Sequence, residues 1–232
     1  MNRRFSIPLG IVLVLIGGLA LVATFLPLPG WNLQPWRLWP LAVVAVGLFL
    51  VVPPFLAPGR RGLSGLFIPG VPILTTGAIL FFASVFDAWG SWAQLWPLEV
   101  LALALGFLLA AIFMRVIWLL IPAIIIGGNG LVMLFCALTG WWGTWAVLWT
   151  IEPFSVGLAL LVVSIRPRSA ALFWTGTGLC AFAGFFAAMM AAILSQWGLL
   201  GLIGAAVLIL AGGLLIARGV LRQAPLSGAV GE

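Results

Sequence analysis

The chain has 232 residues, of which 65% are hydrophobic and 6% charged, against about a quarter charged in soluble domains. A water-soluble globule of this composition would expose large apolar patches and aggregate, so composition favours lipid as the solvent. The net charge of +6 comes from ten arginines and four acidic residues, and the arginines are scattered singly or in pairs between apolar runs, which excludes a basic face for nucleic acid.

A membrane helix needs about 20 mostly apolar residues. In chain order the first such segment is Ile7–Leu26, preceded by Arg3 and Arg4. Its charged start and the Leu21-Val22-Ala23 stretch also admit a cleaved signal peptide. Leu38–Phe55 follows and ends before Arg60 and Arg61. The third and fourth segments are Leu66–Phe86 and Leu95–Met114, and the fifth is Val116–Leu138. Only Arg115 interrupts the apolar residues between the last two. One helix across both would overshoot a bilayer core about 30 Å thick, so a turn is predicted around Met114–Ile117. Within the fifth segment, Gly127-Gly128-Asn129-Gly130 predicts a helix break or a polar contact between helices.

The sixth and seventh segments are Trp145–Ile165 and Ala170–Leu194, and Trp197–Ala217 closes the series. The seventh repeats small residues every four positions, at Gly176, Cys180, Gly184, Ala188 and Ala192. In lipid, helices associate where small side chains let backbones approach, so this stripe predicts a packing face. Cys136 and Cys180 both fall mid-segment and read as small packed residues rather than a disulfide or a metal pair.

The arginines give the segments a common orientation. Arg3, Arg4, Arg60, Arg61, Arg115, Arg166, Arg168, Arg218 and Arg222 all fall on one side of an eight-span layout. Arg37 falls on the other, with Asp87, Glu99 and Glu152. The positive-inside rule makes the Arg-rich side cytoplasmic and places both termini there. Eleven of the thirteen tryptophans fall near the opposite ends, where an indole keeps its ring in apolar surroundings and its N–H wet. The expected fold class is therefore all-α and integral to the membrane, with eight transmembrane helices in a single domain, 1–232.

Three stretches repeat. Leu38-Trp39-Pro40-Leu41, Leu95-Trp96-Pro97-Leu98 and Leu148-Trp149-Thr150-Ile151 each open a helix that carries a central glycine (Gly47, Gly106, Gly157) and ends near an arginine. Ser6-Ile7-Pro8, Phe67-Ile68-Pro69 and Leu120-Ile121-Pro122 open the helices before them. The predicted unit is a helical hairpin at about 6–61, 66–115, 118–168 and 170–222, the last degenerate, in the same orientation each time.

The residues Leu9-Gly10-Ile11-Val12-Leu13, Gly17-Gly18, Trp39-Pro40-Leu41 and Gly47-Leu48 resemble the LiaI/LiaF-type transmembrane region, a small bacterial membrane domain. The resemblance implies no catalytic residues. It implies an accessory role in cell-envelope stress signalling, although the soluble domain that shares that role is not in this chain. Arginine without lysine, together with abundant Ala, Gly, Pro and Trp, reads as a GC-rich bacterial gene, and the expected location is the bacterial inner membrane.

Enzyme chemistry finds little support. Without histidine there is no imidazole base, triad or His metal site, and nothing in the sequence positions Ser155 and Glu152 as nucleophile and base. No cofactor or metal is predicted. The polar candidates are Glu99 and Glu152, equivalent in successive repeats, with Arg37 and Asn129. One reading makes Glu99 and Glu152 face each other across the bundle and bind a cation, a proton or a polar headgroup. The other makes them interfacial charges that reach water or pair with Arg37. Two functions follow: a non-enzymatic scaffold or regulator working through helix contacts with another membrane protein, or a small-solute or ion transporter. The orientation is directly testable. Cytoplasmic reporters fused to either terminus should be active, and single cysteines at Gly59 and Gly143 should label from opposite sides of the membrane. Labelling from the same side would remove the eight-span layout.

Overall fold

The computed structural model describes residues 35–194, together with isolated helical positions of the first predicted span (Gly10, Val14, Gly17, Gly18 and Leu21). The eighth predicted span, the fourth hairpin's second half and most of the first span lie outside the described residues. Among the described residues there is no strand. Six long helices carry the fold: α1 (Pro40–Leu56), α2 (Phe67–Val85), α3 (Pro97–Met114), α4 (Leu120–Thr139), α5 (Ile151–Ser164) and α6 (Ala170–Leu194). Five helical stretches are long and apolar enough to cross a membrane. A sixth qualifies if Trp142–Leu148 and Ile151–Ser164, bent by 48°, are counted as one span. Helices of this length and composition are compatible with a multi-pass membrane protein.

The helices start where the sequence supplies a suitable first residue. Pro40 and Pro97 occupy the first turn of α1 and α3, where a missing N–H costs nothing and the fixed φ is already helical. Thr150 takes the corresponding place before α5, and its hydroxyl donates to the Val147 carbonyl at 2.8 Å. All three positions are buried. The predicted span Trp145–Ile165 is broken there: a one-turn helix, Trp145–Leu148, stops at Trp149 and α5 restarts at Ile151. At 14 residues, α5 is about 21 Å long, short of a bilayer core by itself.

The turn between the fourth and fifth predicted spans falls on Arg115, whose φ of 58° is left-handed. The Val116 N–H donates to the Ala111 carbonyl at 3.1 Å, closing a Schellman-type helix end. Asp87, with φ 55°, ends α2 in the same way, through Ala88 N–H to the Ala83 carbonyl.

Each helix packs on its neighbours in sequence, and the more extensive faces join helices linked by the Arg-bearing turns: α1 with α2, α3 with α4, α5 with α6. Glycines set their spacing. A Cβ on Gly47 would lie 2.6 Å from the Leu74 backbone, and one on Gly77 would lie 2.7 Å from the Val44 nitrogen. On Gly106 it would meet the Phe67 carbonyl at 2.6 Å. On Gly157 it would meet the Gly176 carbonyl oxygen and Cys180 Sγ, both at 2.7 Å. At the Arg-rich end the rings of Phe55, Phe67 and Phe113 form a triangle with centroids 5.0–5.3 Å apart, tying α1, α2 and α3 together.

The small-residue stripe of α6 is only partly a packing face. Gly176 and Cys180 meet α5, but Gly184 is exposed and a Cβ there would meet open space, while Ala188 and Ala192 are half-buried. A four-residue step advances about 400° on a helix of 3.6 residues per turn. The stripe therefore drifts by about 40° per step, and burial passes to Ala183, which lies beside Val132 of α4 and Ile151 and Phe154 of α5.

Gly157→Ala is expected to wedge α5 from α6 and destabilise the protein by about 1–3 kcal/mol, read as a lowered Tm in detergent. Gly143→Ala, where a Cβ meets open space, should leave Tm within error. Equal effects would mean that close approach does not set the α5–α6 spacing.

Candidate functional site

The antiparallel order of the helices gathers the tryptophan-rich turns at one end and Arg60, Arg61, Arg115, Arg166 and Arg168 at the other. The acidic residues among those described, Asp87, Glu99 and Glu152, are all at the Trp-rich end, with Arg37.

Arg37 does not reach either glutamate. Its Nη1 donates to the Ser84 carbonyl at 2.9 Å and its Nη2 lies 3.4 Å from Asp87 Oδ2. The Ser84 hydroxyl donates back to the Arg37 carbonyl at 2.8 Å. The guanidinium also covers the Trp36 ring, 4.8 Å from its centroid, a cation–π geometry. The Arg37 side chain is 12% exposed and Asp87 67%, so the solvated ion pair itself contributes little. The reciprocal bonds with Ser84, which is buried, do more. They fasten the 3-10 turn Pro35–Leu38 to the end of α2. Neither Ser84 nor Asp87 was singled out from the sequence as a partner of Arg37, since the pairing spans 47 and 50 residues.

Glu99 stands in the first turn of α3 and faces α2. Its Oε2 accepts the Thr76 hydroxyl at 2.8 Å. Thr76 has one hydroxyl proton and also lies 3.0 Å from the Pro72 carbonyl of its own helix, so the two acceptors share it. Glu99 Oε1 is shielded from solvent and has no hydrogen-bond partner. Glu152 occupies the first turn of α5 and is exposed. With α4 packed between α3 and α5, the structure does not set the two carboxylates face to face.

Asn129 is buried within α4, which runs through the Gly127–Gly130 stretch without a break. Its Nδ2 donates to the Ile125 carbonyl one turn back, at 3.0 Å, and its Oδ1 is buried without a partner. The flanking glycines serve packing: Gly130 meets Leu101 of α3, and Gly128 meets Ser155 and Ile151 of α5. Ser155 donates to the Glu152 carbonyl rather than to its carboxylate, so no nucleophile–base pair forms there. Of the repeat tryptophans, Trp39 is half exposed, Trp96 is half-buried, and Trp149 packs edge-on against Phe186 of α6, centroids 6.2 Å apart.

The polar site is thus two separate pieces, the Arg37–Ser84–Asp87 clasp and the Glu99–Thr76 pair. No protein-family model, curated protein or solved structure matches the chain.

Removing one partner of a buried bond leaves the other unsatisfied, whereas removing both can be near neutral. Thr76→Val should therefore destabilise by about 1–3 kcal/mol, and adding Glu99→Leu should recover part of that loss. Chemical denaturation of the purified variants measures both. Additive losses would show that the bond does not couple α2 to α3.

Proposed function

We propose that the chain is a non-enzymatic membrane scaffold or regulator of eight spans in four hairpin units, with its Arg-rich ends and both termini cytoplasmic. It works through lateral contacts with another membrane protein of the bacterial inner membrane, in the manner of the LiaI/LiaF-type regions it resembles and in envelope stress signalling.

The observation that carries this reading is the packing itself. Among the described residues the polar groups at depth are mostly bonded to their own helix: Thr177 to Phe173, Ser164 to Leu161, Asn129 to Ile125. The helices meet through glycine and alanine, and large apolar side chains such as Leu105, Ile112, Leu131 and Phe182 face outward. Such an array offers helix faces rather than a polar path, which transport requires.

The hairpin repeat draws support from the same contacts. Leu74, Gly127 and Cys180 stand 53 residues apart in turn, and they meet Gly47, Ala104 and Gly157 respectively. Gly77 on Val44 corresponds to Gly130 on Leu101, and Gly70 on Val51 to Gly176 on Leu161. Repeated contacts at repeated spacings fit one hairpin unit copied along the chain.

A second reading, ion or small-solute transport, is favoured by the orphaned Glu99 Oε1 beside Thr76. Reconstitution separates the two. The scaffold reading expects proton and cation flux in proteoliposomes equal to that of empty vesicles, unchanged by E99Q/E152Q. It also expects co-purification of a defined sensor kinase or envelope enzyme. Flux that the double substitution abolishes would replace it with the transporter.

A further inference from the structure

At the Arg-rich end, a pocket of about 390 Å³, open on one side, is lined by Pro58, Gly59, Arg61, Ile112, Phe113 and Arg115. It lies between the turn that follows α1 and the end of α3. Its two faces differ in chemistry. Arg61 and Arg115 supply guanidinium groups, while Ile112 and Phe113 supply an apolar wall, and Phe113 is held by the ring triangle with Phe55 and Phe67.

Among the described residues nothing acidic compensates the charge at this end. Arg61 and Arg115 line one cavity, and Arg166 Nη1 donates to the Arg115 main-chain carbonyl at 3.3 Å, so residues from the turns after α1, α3 and α5 meet at this end. No acidic side chain among the described residues lies at this end. Like charges converging on a partly apolar cavity repel unless an anion joins them. Arg115 moreover adopts a left-handed backbone, φ 58°, a conformation strained for a residue with a Cβ and free for glycine. A long cationic side chain stands at the position where backbone geometry favours glycine.

We propose that this pocket binds the phosphate group of an anionic phospholipid. The guanidiniums of Arg61 and Arg115 grip the phosphate oxygens, a pairing for which arginine's planar fork is suited, and an acyl chain lies along Ile112 and Phe113. Basic pockets between helices at the cytoplasmic surface take lipid headgroups by this chemistry. The lipid source is favoured over free phosphate because the apolar wall adjoins the anion grip and Ile112 is 59% exposed, which suits a chain entering from the bilayer. The inference rests on the helices being membrane spans and is independent of whether the protein is a scaffold or a transporter.

The test uses the full chain in nanodiscs of phosphatidylcholine with and without phosphatidylglycerol. Resistance to carbonate extraction from membranes first establishes that the chain is integral; failure there would remove the membrane reading itself. Lipid retained after transfer to neutral detergent is then identified by native mass spectrometry. The wild type should retain phosphatidylglycerol over phosphatidylcholine by roughly 30-fold, from two arginines at an anionic surface. R61Q/R115Q should lose that preference, R61K/R115K should keep most of it, and R168Q should not change it. If R61Q/R115Q fails to fold, the wild type's own selectivity decides. Equal retention of the two lipids overturns the proposal. So does stabilisation of the wild type by inorganic phosphate in phosphatidylcholine discs without any preference for phosphatidylglycerol, which would make free phosphate the ligand.

Discussion

The constraint on which the structure depends is that lipid gives apolar helices no reason to leave it. Leucine against leucine is no better than leucine against an acyl chain, so helices adhere only where their backbones come close enough for dense van der Waals contact. The chain meets this with glycine at the crossings. Gly157 and Gly176 each present the other with a carbonyl oxygen at 2.7 Å from where a Cβ would stand. On the earlier helices a Cβ at Gly47, Gly77, Gly106 or Gly130 would likewise come within 2.6–2.8 Å of a neighbouring helix, at the Leu74 backbone, the Val44 nitrogen, the Phe67 carbonyl and the Leu101 side chain respectively. Bulky side chains are consequently turned outward: Trp174, Ile193 and Leu131 are all more than 60% exposed, a pattern that would be unstable in water and is ordinary in a bilayer.

This explains which parts of the fold were legible in the sequence. Length and hydropathy locate the six long helices to within a few residues, apart from the break at Trp149–Thr150, because an apolar stretch sets helix length independently of what each helix touches. The turn at Arg115 was legible for the same reason. Contact faces were not. A spacing of four reads as a stripe from Gly176 to Ala192, but helical geometry rotates it off the α5 face after Cys180, and Ala183 takes over. The Gly127–Gly130 run suggested a broken helix. Here three glycines in a row of four positions serve two different neighbours, and tight packing on both sides keeps α4 continuous.

The two ends of the array handle charge differently. At the Trp-rich end Arg37 has Ser84, Asp87 and Trp36 around it, and most of its guanidinium is satisfied within the protein. At the Arg-rich end, Arg61 and Arg115 share a cavity with no carboxylate. The first arrangement closes on itself and acts as a fastening. The second leaves its arginines without an acidic partner among the described residues. Residues that look alike in a count of charges thus take opposite roles according to whether an acid is within reach.

The same distinction separates Glu99 from Glu152. The segments that lead into them are close copies, Trp89-Gly90-Ser91-Trp92-Ala93 and Trp142-Gly143-Thr144-Trp145-Ala146, and each forms a 3-10 turn followed by a one-turn helix. Their potential partners are matched too, since Thr76 and Asn129 are 53 residues apart, as are Glu99 and Glu152. Yet only Glu99 has a cross-helix partner. A threonine hydroxyl has a proton it can turn towards a neighbouring helix, and Thr76 does so while remaining close to its own Pro72 carbonyl. Asn129 instead donates one of its two Nδ2 hydrogens to the Ile125 carbonyl of its own helix, and its Oδ1 has no partner. In place of Pro97, α5 has Thr150, with Pro153 three residues on, and the helix bends by 48° just before Glu152, which is exposed. Equivalent positions therefore hold one carboxylate half-buried against α2 and one exposed.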